Sequence, residues 1–312
     1  MNTNKNIVVS VCVQTYQHGN FIKECLDGIL IQKTTFPFEV ILGEDESTDG
    51  TREICKEYAK KHPDKIKLFL RSRKDVIYIN GNATGRYNFI ENLKACKGRY
   101  IAICEGDDYW TDSLKLQKQV DFLEANPEYV IHSGFATIST TTGKQVGRQS
   151  EKGFFTLEDF YTQNNIVTCT VMFRNIIKKF PDTFSKVKFG DWLLYTIILK
   201  HSNSRIYVAN EVFSFYRIHQ GGVMKSLSKL NNLNAHINQI KLLKNELKFK
   251  ISSDRDIKNI NNYSKEKFDI EIANYNYLDS LKTIFTNFNL VGFKMPFKHY
   301  ISVYKKRMFK NK

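Results

Sequence analysis

No stretch of about 18 apolar residues exists in this sequence, so no segment is expected to span a membrane. The early apolar run, 7–13, is short and leads straight into Gln14, Thr15, Tyr16, Gln17 and His18, which is not the pattern of a secretory leader. A C-x-x-C pair is missing as well. Cys12, Cys25, Cys55, Cys96, Cys104 and Cys169 stand apart, several of them in apolar runs, which predicts buried free thiols in a reducing compartment. Neither G-x-G-x-x-G nor G-x-x-x-x-G-K-[ST] is present, so the two glycine loops that cradle phosphates are excluded. Internal repeats and low-complexity blocks are absent too.

What is present suffices for a globular protein. The 312 residues are 42% hydrophobic and 13% aromatic, enough to bury a large core. The formal charge of +15 is uneven. Residues 226–312 hold 17 Lys/Arg against 7 Asp/Glu, a net of +10, which leaves +5 for residues 1–225. An anionic partner is therefore expected at the C-terminal end, either membrane lipid or a phosphorylated acceptor.

The first half alternates between two periodicities. Apolar, β-branched runs at 7–13, 38–42, 66–70 and 100–104 read as strands. Between and after them, 19–31, 51–61, 86–96 and 113–125 read as helices, and 81–85 as a flexible loop. Alternation of this kind predicts βαβ units around a mostly parallel sheet. The second half is less regular, with strands expected at 129–135, 169–173, 205–208 and 212–217 and helices at 157–163 and 191–201. From about 226 onward the apolar spacing is helical. Two domains are expected, 1–225 and 226–312.

A parallel sheet binds ligands beyond the carboxyl ends of its strands. The polar residues collect there: Thr15 and Tyr16 after the first strand, Glu44, Asp45 and Asp49 after the second, and Glu105, Asp107 and Asp108 after the fourth. Acids packed this densely repel one another unless they are well solvated or share a cation. Without a glycine loop, a phosphorylated ligand here would need its charge offset by Mn²⁺ or Mg²⁺ held on carboxylates.

Four segments together resemble the family 2 glycosyltransferases of the GT-A fold: 9–16, 39–51 with Asp49-Gly50-Thr51, 98–110 with Glu105-Gly106-Asp107-Asp108-Tyr109-Trp110, and 189–192. The resemblance spans roughly residues 7–222. It implies an α/β, Rossmann-like catalytic domain with a C-terminal helical extension, a nucleotide-diphosphate sugar donor linked to UDP, a divalent cation and inverting displacement. It further implies that a hexose or N-acetylhexosamine moves to a hydroxyl on a glycan or lipid-linked acceptor in surface polysaccharide synthesis. Carried over by position, Thr15 and Tyr16 line the nucleoside pocket, Glu44 contacts the base with Asp45 and Asp49 in the same nucleotide-binding loop, and Glu105 faces the ribose. Asp107 and Asp108 reach the cation and diphosphate, and Asp191 is the acceptor's base, with capping of its helix as a compatible role. Arg217 pairs with phosphate, His219 ligates the metal or bonds the diphosphate, and Arg86 and Asn88 touch the nucleotide. This sequence departs from the family pattern in having Glu at 44 and 105 and Glu46 where glycine is usual.

Residues 294–312 hold seven Lys/Arg and no acid among Phe297, Tyr300, Tyr304 and Phe309. A basic, aromatic segment of this kind suits peripheral contact with an anionic membrane, on the inner face of the cell membrane for a cytoplasmic protein; packing on the catalytic domain is the alternative. Nucleic acid is not expected as a partner, because the rim is acidic. Two other classes remain open: a sugar nucleotidylyltransferase, which would carry a basic, glycine-rich loop after the first strand, and a glycan- or lipid-binding module without turnover.

Overall fold

The computed structural model describes residues 6–140, 143–147, 153–222 and 228–309. The chain divides into two compact units. The first comprises Met1–Leu157, Asn165–Lys186 and Leu194–Ile218; the second comprises Glu158–Asn164, Val187–Leu193 and His219–Lys312. The expected boundary at 225 lies outside the described residues.

The first unit is built on one mixed sheet. β1 (Val9–Thr15), β2 (Phe38–Glu44), β3 (Ile66–Leu70) and β6 (Tyr100–Ile103) lie parallel in the order β6-β1-β2-β3. α1 (Ile22–Leu30), α2 (Thr51–Lys61) and α3 (Arg86–Ala95) alternate with these strands. β1, β2 and β6 are buried at nearly every position, as strands covered on both faces must be. Their apolar residues join Ile22, Leu26 and Ile29 of α1 and Leu116, Val120 and Leu123 of α4 (Lys115–Ala125) in one core. Strand order reverses at β1, which opens the switch-point crevice between the carboxyl ends of β1 and β6.

Beyond β6 the sheet turns antiparallel through β11 (Met172–Arg174), which inserts between β6 and β8 (Tyr129–Thr140). β12 (Arg205–Tyr216) lies parallel to β8, and the short β7 (Tyr109–Trp110), β9 (Gly143–Gly147) and β10 (Phe154–Phe155) pair along the edges. The parallel architecture expected from the sequence is thus the half that carries the site.

Several local expectations differ. The loop expected at 81–85 belongs to a hairpin of β4 (Ile77–Ile79) and β5 (Asn82–Thr84), turning through Asn80 and Gly81 at φ +52° and +77°. That Asn-Gly pair is a strong hairpin signal in the sequence. The strand expected at 169–173 begins instead with a 3₁₀ turn at Thr168–Thr170. The two strands expected between 205 and 217 are the single strand β12, with register shifts after Arg205 and around Val208 and Val212. The helix expected at 157–163 is a 3₁₀ turn, Leu157–Phe160.

The second unit is helical: α6 (Lys229–Leu247), α7 (Asp254–Ala273), α8 (Tyr277–Val291) and α9 (Phe297–Phe309). Ser228 and Ser253 cap α6 and α7 by accepting from the amides of Asn231 and Asp256. Phe268, Ile272, Met295 and Tyr300 form its buried centre. α5 (Gly190–Ser202) begins in a segment of this unit and continues in the first. All six cysteines are free and buried, and among the described residues no helix is long and apolar enough to cross a membrane.

Candidate active site

Three loops meet at the switch point. The one after β1 is fastened to the one after β2: the Gln17 amide donates to Ser47 Oγ at 2.9 Å, the His18 amide to Thr51 Oγ1 at 2.8 Å, and the Gly19 amide to Asp49 Oδ2 at 2.8 Å. Asp49 also accepts from the Thr51 amide at 3.2 Å, so it organises the start of α2. The loop after β6 approaches so closely that a Cβ on Gly106 would stand 2.6 Å from Thr15 Oγ1 and 2.9 Å from His18 Nδ1. Only glycine fits there. Thr15 Oγ1 is buried and has no hydrogen-bond partner among the described residues. Asp107 Oδ2 lies 3.7 Å from His18 Nε2.

Past the carboxyl end of β3, the Arg73 guanidinium donates to Asp45 Oδ2 at 2.7 Å and lies over the ring of Tyr16 at 4.1 Å, leaving Tyr16 partly exposed. Burial pushes the Asp45 carboxyl up despite Arg73, which opposes the shift. Glu46, at φ +63°, holds this arrangement from below by accepting from the Arg73 amide at 2.6 Å. Glutamate in the left-handed region costs about 1 kcal/mol relative to glycine, and the capped amide offsets part of that.

Glu44 and Asn88, two further residues expected at the nucleotide, are held by contacts within the protein. Glu44 is fully buried, with one carboxylate oxygen on the Ser47 amide at 2.7 Å and the other on Arg52. Asn88 donates to the Gly43 carbonyl at 2.8 Å and accepts from Arg71 Nε at 2.9 Å. A Cβ on Gly43 would come within 2.0 Å of that same Asn88 oxygen, so the amide fills the space glycine leaves. Arg86 is buried at the start of α3. Glu105 lies half-buried, its Oε1 3.5 Å from Gln14 Nε2.

The two neighbouring aspartates point to different tasks. Asp108 is buried and accepts the Arg217 amide at 2.9 Å; burial, with the adjacent Asp107 charge behind it, holds its carboxyl well above the usual range. The Arg217 guanidinium donates to the Asp107 carbonyl and to Glu24, each at 2.6 Å, and lies over Tyr109 at 4.6 Å. Arg217 therefore knots α1, the acidic loop and the end of β12 together. Trp110 anchors the far side of the loop, donating to the Cys169 carbonyl at 2.8 Å.

Asp191 lies in the second unit, on the first turn of α5, and accepts from Asn164 Nδ2 at 3.0 Å. Its neighbour Phe189 is bracketed by Gln239, which accepts from the Phe189 amide at 3.0 Å and donates to its carbonyl at 2.8 Å. His219 opens the last segment of this unit, in a turn closed by the Gly222 amide donating to its carbonyl at 3.1 Å. Thr170 is committed to Ser133 at 2.7 Å and is buried.

Sequence reasoning passed over His18, Arg71 and Arg73. The rule that located the acids also covers them, since all three follow the carboxyl ends of β1 and β3; their basic character hid them from a search for carboxylates.

Comparison with known proteins bears on the fold and the family. The family model described as glycosyl transferase family 2 matches residues 10–180, more than half of the chain. An uncharacterized protein of Mycobacterium bovis, Mb1547, is 32% identical over 70% of this chain and 61% of its own length, so the chain spans about three fifths of that relative. TuaG of Bacillus subtilis, described as a putative teichuronic acid biosynthesis glycosyltransferase, is 31% identical over 39% of this chain and 44% of its own. Among solved structures, S. aureus TarS 1–349 in complex with UDP-GlcNAc superposes with a TM-score of 0.56 at 16% identity, covering 96% of this chain and 92% of that one. The mannosyltransferase PcManGT of Pyrobaculum calidifontis, solved with GDP-Man and Mn²⁺, gives 0.56 at 14%, covering 100% and 92%. These likenesses show a shared GT-A fold, and with the family match they show that the chain belongs to glycosyltransferase family 2.

Proposed function

We propose that this protein transfers a hexose or N-acetylhexosamine, with inversion, from a UDP-linked donor to a hydroxyl of a glycan or lipid-linked acceptor in surface polysaccharide synthesis. The observation that carries the reading is the convergence at the β1/β6 switch point of Thr15, His18 and Asp107, with Asp45, Arg73 and Tyr16 along the same rim. The exposed ring of Tyr16 offers a face for the base, and the Asp45–Arg73 pair holds that ring in place. The unpartnered Thr15 hydroxyl offers a hydrogen bond to the nucleoside.

A carboxylate beside an imidazole suits Mn²⁺ or Mg²⁺, with Mn²⁺ the better match to nitrogen. Asp107 and His18 would hold the cation, and His219 is a further ligand by the family pattern. Bound there, the cation would offset the charge gathering on the departing diphosphate. Asp108 and Arg217 act behind it, fixing the loop from which Asp107 projects. Asp191 takes the acceptor hydroxyl's proton, one carboxylate oxygen being held by Asn164. Attachment to the inner face of the cell membrane through the basic residues of 294–312 would bring a lipid-linked acceptor within reach.

Release of nucleoside diphosphate from a panel of nucleotide sugars, with Mn²⁺ and with chelator, tests this reading. UDP-sugar turnover that stops with chelator is expected. Asp191→Asn should bind donor normally while transfer falls about 10²-fold or more. Donor binding that ignores chelator, or an Asp191→Asn enzyme of normal rate, would contradict the assignments.

A further inference from the structure

The second unit ends in two helices that present an uncovered apolar ridge. On α8, Leu278, Leu281, Phe285 and Phe288 are 75, 44, 68 and 38% exposed. Their spacing of three, four and three residues puts them on one stripe. The other side of α8, with Ser280, Thr283, Asn287 and Leu290, is buried. The Phe288 ring meets Phe293 edge-on at 5.4 Å, which carries the ridge into the turn Gly292–Lys294, where Phe293 is 85% exposed. Phe297 and Ile301 of α9 are open as well.

These side chains are not a core awaiting completion. α8 and α9 already pack through other residues: Asn287 donates to Tyr300 Oη at 2.9 Å, Ser280 and Tyr304 share a hydrogen bond of 2.7 Å, and Phe268 packs against Tyr300. The charge around the ridge selects its occupant. Between 277 and 309 stand Lys282, Lys294, Lys298, Lys305, Lys306 and Arg307 against one acid, Asp279, which is itself paired with Lys282.

Phenyl rings flanked by long basic side chains match the boundary of an anionic bilayer, where the rings enter the acyl region and the ammonium groups reach lipid phosphates. A second copy of this chain would set like charges against each other, and protein interfaces are depleted in lysine. We propose that the α8 stripe and the Phe293 turn form the face that docks on an anionic membrane, with the basic residues of α9 supplying electrostatic attraction. The inference extends the membrane-attachment reading above and is independent of the glycosyl-transfer assignment.

Co-sedimentation of the full chain with vesicles of phosphatidylcholine plus phosphatidylglycerol, against phosphatidylcholine alone, tests it. Binding to the anionic vesicles, weakening as salt rises, is expected. Phe285→Ser combined with Phe293→Ser should reduce it at least tenfold, and Lys298→Gln about fivefold. All these residues are exposed, so the thermal midpoint and nucleoside diphosphate release should not change. No vesicle binding by the native chain, or full binding by the double phenylalanine variant, overturns the proposal. So does a dimer seen by sedimentation velocity that those same substitutions dissolve, because the ridge would then join copies of the chain. Vesicle binding without any nucleoside diphosphate release would count against the transfer reading alone.

Discussion

Lys115 is fully buried, with no carboxylate in ion-pair contact among the described residues. Its ammonium donates to Gln119 Oε1 at 2.6 Å and lies 4.2 Å from the Trp110 ring centre. Burial pulls its pKa from 10.5 down to about 7. The sign of the consequence follows from proton counting: between about 7 and 10.5 the unfolded chain carries this proton and the folded chain does not, so stability rises with pH through that window. The slope from this one group is about 1.4 kcal/mol per pH unit at most. Lys115→Met should remove it, measured as the difference between denaturant-unfolding curves of the two proteins at pH 7 and pH 9. The acids of the site were legible in the sequence as a group, but their division of labour was not. Glu44 and Asp108 differ from Asp45 and Asp107 only in what lies beside them: Arg52 and the Ser47 amide for Glu44, the Arg217 amide for Asp108. The Arg217 amide comes from 109 residues away, beyond the reach of any local pattern.

The strands and helices of the first half could be read from periodicity because each is long and strongly patterned. β7, β10 and β11 span two or three residues each and exist only because a longer neighbour pairs with them. The 3₁₀ turns at Leu157–Phe160 and Thr168–Thr170 are too short to leave a period. Loops gave a clearer signal where glycine is demanded by contact. Gly106→Ala would place a methyl against Thr15 and His18 and push the acidic loop away from β1. The loop lies at the sheet's rim, so the expected loss is in function, with donor affinity by calorimetry falling about tenfold or more while the melting temperature shifts little. Unchanged affinity would mean that the loops need not touch for the donor to bind.

The chain's two units are not consecutive in sequence, and composition could not reveal this. The rise in basic residues after 226 suggested a clean division, yet Glu158–Asn164 and Val187–Leu193 belong with the C-terminal helices. Thr162 donates to Asp256 at 2.9 Å, Tyr161 stacks on Phe249 at 3.7 Å, and Phe189 and Trp192 pack around His236. A fragment ending at residue 218 would strip these partners away. It should be poorly soluble, or bind hydrophobic dye strongly and lose near-UV circular dichroism; a soluble fragment with native spectra would show that the two inserted segments tolerate exposure. The placement of sulfur has a practical reach of its own. With every native thiol in the interior, the outside of the molecule is silent toward maleimides, so one cysteine introduced at Leu281 would accept a fluorophore alone and report, by its change in colour, when that helix leaves water.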